Sequence, residues 1–576
     1  MACINMVSIA STMQTQKLHS TTEKDSQPER ISTYKPNIWK YDHLLSLTNQ
    51  YSEAKYKIEA EKLKEEVGCM FSNTTSPVAQ LQLIDGIDKL GLSAYFEVDT
   101  KETLENIILY MKTSSTSKDL YATALCFRLL REHGYHASQD MLKDLFDGKG
   151  KLPLDMKTSL ELFEGSHLSI DGENLLNDIR LFSTKNLKNL SLDVDRLTSN
   201  PLAWRVRWYD VRKHIITAQN CNDTNPMLLK LAKLNFNIIQ ATHQKDLKDV
   251  IRWWRNVSII ENLEFTRERI VESFFFAVGI ASEGEHGSMR KWLAKVIQLI
   301  LIIDDVYDIY GTLADVQQFT VAIEKWDPEE VQRLPKSIQI CFGALHDTME
   351  DISVEIQRQK GGPSVLPHLK QVWVNFCKAL LVEATWYHKG HIPTLEDYLH
   401  NGWTSSSGPL LSLHVILGLT NENLHLCKNC QEIIYYTSLI IRLCNDQGTS
   451  TVELERGDVA SSIICYMHQE NVSEDVAREH IESIILNSWE KTNYHFNRLS
   501  TSHRKIMKHV INEARMAHVM YLSGDGFGVQ DGETQDQVLI NLFRPLGRNP
   551  GHHFGRLYRP NFIVMGLGPV IFEVPI

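Results

Sequence analysis

The sequence predicts an all-α fold in two helical domains, and three observations carry that prediction. Gly (30) and Pro (17) make up only about 5% and 3% of the 576 residues, below the usual ~7% and ~5%, and these two residues interrupt helices at the highest cost. Apolar residues recur at the helical period without the alternation of a half-buried strand. A chain of this length exceeds what one hydrophobic core organises, so at least two domains are expected.

Taken in order, residues 1–29 read as a disordered tail. The segment to Thr22 is rich in Ser and Thr, with Lys17 as its only charged side chain. It suits a poor transit peptide or a cytosolic tail; the lack of Arg favours the tail and a cytoplasmic location over a plastid one. Residues 30–215 form a first helical block. Leu63 and Val67 sit four apart in a helix expected to stop at Gly68. Leu81 to Gly91 and Ala122 to Gly134 are clearer amphipathic helices, each with a glycine suited to end it. Between Lys151 and Leu202 the pattern weakens into shorter segments. A boundary is expected near 210–225, after which Asn225-Pro226 opens a second block, 216–545, with Pro suited to a first helical turn. After Leu546 the run Gly547-Arg548-Asn549-Pro550-Gly551 is breaker-rich, and 546–576 reads as an irregular appendage. No period of 20–50 residues repeats.

Composition excludes several classes. With 60 Lys+Arg against 71 Asp+Glu, the net charge of −11 leaves no basic footprint for nucleic acid. The longest aliphatic run, Val296 to Ile303 between Lys295 and Asp304, is far short of the ~20 residues that span a bilayer. Ten Cys are too dilute for a disulfide framework, which points to a reduced compartment.

The densest chemical signal follows that run, in Asp304-Asp305-Val306-Tyr307-Asp308. On a helix Asp304 and Asp308 share a face, about 6 Å apart along the axis. Three anions beside an apolar wall need cationic compensation. Gly311 suits a left-handed helix end, which would put the carboxylates at the negative end of the dipole and favour metal ions there. Oxygen-only donors suit Mg²⁺. A second stripe, Asn445, Thr449 and Glu453, falls at i, i+4 and i+8, with Gly448 expected to leave room for a ligand. Arg267 and Arg269 are two apart, so both reach one anion only if the backbone there is extended or just entering a helix. Phe274 to Phe276 follow, and Trp386-Tyr387 lie just past Glu383; aromatic faces can stabilise a cation.

Together these residues resemble the plant terpene synthase family, with the closest likeness to the acyclic-product α-farnesene and β-ocimene synthases. The aspartate motif 304–308, the second metal motif 445–453 and Arg267-Glu268-Arg269 carry the resemblance, which spans residues 30 to about 545. It implies an N-terminal relict α-barrel and a C-terminal class I α-bundle that holds three Mg²⁺, with Mn²⁺ an accepted substitute. Asp304, Asp305 and Asp308 would bind two ions and Asn445, Thr449 and Glu453 the third. Arg267, Arg269 and Arg442 would hold the diphosphate, with Asp304, Asp308 and Asn445 also facing substrate. Phe276 stands where cyclising relatives carry a tryptophan; Trp386 would line the pocket, and Tyr521, Asp525 and Phe527 would lie on its covering loop. The implied reaction is ionisation of a prenyl diphosphate followed by deprotonation to an acyclic olefin, most simply farnesyl diphosphate to α-farnesene. Geranyl diphosphate to β-ocimene, with linalool or nerolidol by water capture, is the alternative, and a monomer is expected.

The family's N-terminal tandem arginine survives only as Glu29-Arg30 ahead of Trp39, which favours an acyclic product. Leu192-Asp193-Val194-Asp195-Arg196 has Arg196 where a protonation-initiated cyclase needs Asp, so no second active site is expected there. Cys427-Lys428-Asn429-Cys430 with His425 lacks a second pair at zinc spacing and is a weak metal or redox signal. A prenyl-elongating synthase should carry two aspartate-rich motifs, and one is present. A helical homologue without turnover is the non-enzymatic reading. Replacing Asp304 or Asp305 by Ala is expected to cost turnover more than folding.

Overall fold

The computed structural model of the chain describes residues 35–113, 119–145, 154–190, 200–221, 224–257, 263, 265–420, 427–456, 460–530 and 532–547, without the side chains of 112–113, 144–145 and 451–456. Residues 1–29, the 192–196 segment, His425 and 548–576 lie outside them. Every regular element among the described residues is helical, and no helix among them is long and apolar enough to cross a membrane.

Local chemistry sets most of the helix ends. Asp119 and Asp155 each accept a hydrogen bond from the backbone N–H three residues on, capping Leu120–Glu132 and Met156–Ser166. Asn225 caps Pro226–Asn256 by accepting from the amides of Met227 and Leu228. Gly91 and Gly134 sit at φ 72° and 77° just past Pro77–Lys89 and Leu120–Glu132, the left-handed ends expected of them. Gly68 behaves otherwise. Helix Ala54–Asn73 runs through it, because Leu63, Val67 and Phe71 continue one buried stripe past the glycine. Tertiary burial outweighs the ~1 kcal/mol a glycine costs inside a helix.

The chain divides into two compact units that interleave in sequence: one comprises the described residues of 1–37, 118–206 and 249–536, the other those of 38–117, 207–248 and 537–576. The consecutive blocks 30–215 and 216–545 are thus a different partition from the compact one. In the smaller unit, helix Pro226–Asn256 presents Gln240, Gln244 and Asn237 to the π-helical turn Leu539–Phe543 and the residues after it. Their side-chain amides donate to the carbonyls of Asn541 (2.9 Å), Leu542 (2.7 Å) and Leu546 (3.1 Å). The first two are carbonyls that a helix end leaves without intrahelical partners. Leu546 is buried and its amide donates to Asn237, so it belongs to this unit and not to an appendage.

The larger unit is built round Gly287–Asp305, in which nearly every side chain from Met289 to Ile303 is buried. Helix Leu120–Glu132 lies in the same unit and is structural: Arg128 pairs with Glu161 at 2.6 Å, and Arg131 donates to the carbonyls of Ala137 and Leu168.

Candidate active site

The apolar helix Gly287–Asp305 ends at its two aspartates and passes into a π-helical turn, Val306–Tyr310, closed by a 2.8 Å bond from the Gly311 amide to the Val306 carbonyl. Such turns are rare and concentrate at functional sites. Gly311 is not the left-handed end expected of it; it is extended (φ −80°, ψ 139°). What requires glycine is space, since a Cβ would lie 2.7 Å from Val316 and 2.9 Å from the Val306 carbonyl.

The three aspartates divide. Asp304 and Asp308 line a cavity, whereas Asp305 is fully buried and turned away from it. Arg267 holds the first two together: one guanidinium nitrogen lies 2.6 Å from Asp304 Oδ2 and 2.9 Å from Asp305 Oδ1, and the Arg267 amide donates to Asp305 Oδ2 at 2.8 Å. Burial pushes the Asp305 carboxyl up to about 6, with the Arg267 charge opposing the rise. Arg267 thus supplies the cationic compensation that a buried acidic helix end demands.

Across the cavity, helix Lys428–Arg456 contributes Arg442, Asn445 and Thr449. Glu453 lies on the same helix; its side chain is outside the described residues. Thr449 Oγ1 donates to the Asn445 carbonyl at 2.9 Å, which leaves the hydroxyl's lone pairs for a ligand. Arg442 is held by Ser405 Oγ (2.8 Å), Glu383 (3.6 Å) and Asp446 (3.7 Å). Burial raises Glu383 and Asp446, and Arg442 counters it in both. Asp446 is itself fixed by Tyr398 Oη (3.0 Å) and the Ser462 amide (2.9 Å). Gly448 does not leave room for a ligand. A Cβ there would come 2.8 Å from the Tyr521 carbonyl, so the glycine lets helix Thr501–Tyr521 approach.

The two arginines do not share an anion. Arg269 is the N-cap of helix Ile270–Ile280, and the chain turns it into the interior, 1% exposed. There Nε donates to the Phe527 carbonyl (2.7 Å) and a terminal nitrogen to the Lys35 carbonyl (3.1 Å). Arg269 therefore fastens the segment after Tyr521 and is not on the cavity wall; Arg267 is. Phe276, Tyr521, Asp525 and Phe527 do line the cavity. Trp386 is not among the lining residues; its ring lies 6.3 Å from that of Tyr398.

Sequence reasoning passed over Glu383 and Ser405–Ser407. The serines form the break between helices Leu395–Ser405 and Gly408–Leu419, with Ser407 at φ 66°. The Ser405-Ser406-Ser407-Gly408-Pro409 run was the available signal, as was a carboxylate standing in the apolar stretch Leu380-Leu381-Val382-Glu383. The finished cavity measures about 140 Å³, roughly tenfold what one water occupies. Its lining combines carboxylates and guanidiniums with the apolar side chains of Phe276, Ile297, Ile300, Phe376, Leu411 and Phe527. Asp304, Asp308, Asn445 and Thr449 offer it hard oxygen donors alone, a set that fits Mg²⁺.

A ligand with a polyanionic head and a greasy body matches this mixed lining, and comparison with known proteins agrees. The terpene synthase family metal-binding domain matches residues 255–491, and the terpene synthase N-terminal domain matches 38–208. An α-farnesene synthase of Ricinus communis is 45% identical over 540 residues, covering 90% of this chain and 96% of its own. The (E,E)-α-farnesene synthase of Malus domestica is 44% identical, covering 90% and 94%. Among solved structures, limonene synthase with 2-fluorolinalyl diphosphate superposes with a TM-score of 0.83 at 36% identity, covering 89% of this chain and 98% of its own. Isoprene synthase from grey poplar, in complex with three Mg²⁺ ions and dimethylallyl-S-thiolodiphosphate, gives 0.79 at 35%, covering 88% and 99%. The chain belongs to the terpene synthase family and is a diphosphate-releasing lyase.

Proposed function

We propose that the chain converts farnesyl diphosphate to α-farnesene. The observation that carries this reading is the cavity lining, which joins Arg267, Arg442 and oxygen donors from two helices to a set of apolar side chains. The two α-farnesene synthase relatives support the C15 substrate.

Substrate would enter with its diphosphate towards Arg267 and Arg442, whose forked donors suit phosphate oxygens. Asp304, Asp308, Asn445, Thr449 and Glu453 would hold three Mg²⁺, whose charge favours departure of the diphosphate. As the allylic C–O bond breaks, both electrons leave with the diphosphate, and the arginines face charge that exists fully only after cleavage. Interactions of that kind lower the barrier and do not merely tighten binding. Phe276 and Phe527, with ring centroids 6.0 Å apart, offer π faces to the cation. Asp525 accepts from the Phe527 amide at 3.0 Å, which sets the turn that presents this ring. Water exclusion by this wall favours loss of a proton over capture of a hydroxyl. The released diphosphate can serve as the base that takes the proton, leaving a conjugated olefin.

The test is competition. Purified chain, Mg²⁺ and equal farnesyl and geranyl diphosphate are incubated in one vessel and the volatiles resolved by gas chromatography. α-Farnesene should dominate. A preference above ~10-fold for the C10 substrate, about 1.4 kcal/mol in barrier, with β-ocimene as product, would reverse the assignment.

A further inference from the structure

The weak Cys-x-x-Cys signal gains a third member in the fold. Cys427, Cys430 and His503 bring one donor atom each within 4.8 Å of the others, although His503 is remote in sequence. The sulfurs are 3.4 Å apart and both thiols are free. Donors 2.3 Å from a tetrahedral zinc stand about 3.8 Å from one another, so only a small adjustment separates this cluster from a coordination shell.

The imidazole is already oriented. His503 Nδ1 lies 2.7 Å from Ser500 Oγ, while Nε2 is buried and makes no hydrogen bond among the described residues. Ligating histidines show this division, with one nitrogen fixed by a neighbour and the other turned to the metal. Both helix starts also converge here. Ser500 caps Thr501–Tyr521, and the Cys427 carbonyl accepts from the amides of Cys430 and Gln431 at the start of Lys428–Arg456. Helix N-termini favour the thiolate form that a metal requires, while burial pushes the Cys430 thiol up, so the metal itself must displace that proton.

We propose that Cys427, Cys430 and His503 bind one divalent metal of the zinc class, at a site separate from the magnesium-type donors of the cavity. Two thiolates and a neutral imidazole balance the ion's charge, and binding releases the two thiol protons. The place is mechanically apt. Cys430 meets His503, Cys444 meets His518 and Gly448 meets Tyr521, always 73 or 74 positions apart. The two helices therefore run parallel, and a metal at their starts pins the register that, about 27 Å further on, sets Asn445 and Thr449 beside Tyr521.

The test titrates Co²⁺ into the reduced, chelator-treated full chain without Mg²⁺. One equivalent should produce sulfur-to-cobalt charge transfer, which oxygen donors cannot give, and Zn²⁺ should bleach it and raise the Tm. Cys427→Ser/Cys430→Ser should abolish the band with unchanged circular dichroism, and His503→Gln should weaken Co²⁺ binding by at least ~10-fold. The site is disproved by wild-type chain without the band, by the double variant retaining it, or by peptide mapping after purification without reductant that finds Cys427 and Cys430 joined in a disulfide.

Discussion

At the scale of single residues, adjacent aspartates of one motif have different tasks. Asp304 is about a third exposed at the cavity, while Asp305 is sealed and receives two bonds from Arg267, one from its amide and one from its guanidinium. A replacement that costs turnover more than folding is therefore expected at Asp304 and not at Asp305. Asp305→Asn keeps the volume but removes the charge that compensates a buried guanidinium, and should cost on the order of 2 kcal/mol of stability. Asp304→Asn should leave the urea midpoint nearly unchanged while turnover falls by at least ~100-fold, the scale for losing a group aimed at developing charge. Unfolding curves and single-turnover rates on the two variants check the split; equal loss of stability would contradict it.

At the scale of elements, the site depends on how closely helices Lys428–Arg456 and Thr501–Tyr521 approach, and Gly448 marks the closest point. Gly448→Ala would drive a methyl to within 2.8 Å of the Tyr521 carbonyl and 3.0 Å of its Cβ. Backbone cannot swing aside as a flexible side chain can, so a cost of ~1–3 kcal/mol is expected. Tyr521 should shift as well, with a fall in turnover measurable on protein that is still folded; an unchanged Tm and rate would show that the helices yield freely. The same pair shows what sequence can convey. The stripe Asn445 and Thr449 was legible because a four-residue spacing on one helix is a local property. The partners of Arg442 were not, since Ser405 lies 37 positions away and meets it only through packing. The position of Arg269 was not legible for a related reason: at the N-cap, with φ −133°, its side chain lies inward, and two-residue spacing leaves that angle undetermined. Gly448 was recognised as unusual, but its neighbour belongs to another helix.

Across the larger unit, the balance of buried ionisable groups governs how the protein meets acid. Burial pushes His167, His414, His509 and His518 down to about 4, so each is neutral when folded. Between about pH 6.5 and 4 the unfolded chain takes up a proton at each that the folded chain refuses, and stability falls as pH falls through that window. Burial acts oppositely on Glu164 and Asp305, raised to about 7 and about 6; the folded chain holds their protons through that range, so they gain stability as pH falls. Because the two sets offset each other, the acid response of the whole protein does not isolate either, but a single replacement does. His518 accepts from the Trp489 indole N–H at 3.1 Å and lies 5.2 Å, centroid to centroid, from Trp204 in a stacked arrangement. His518→Gln keeps an acceptor for Trp489 and removes the titration. Between pH 7 and 5 the wild type should lose roughly 2 kcal/mol more than this variant, whatever the variant's starting stability, as read from urea midpoints at the two pH values. Equal losses would mean that folded His518 takes up its proton over the same pH range as the unfolded chain, so that burial between Trp204 and Trp489 does not hold it neutral.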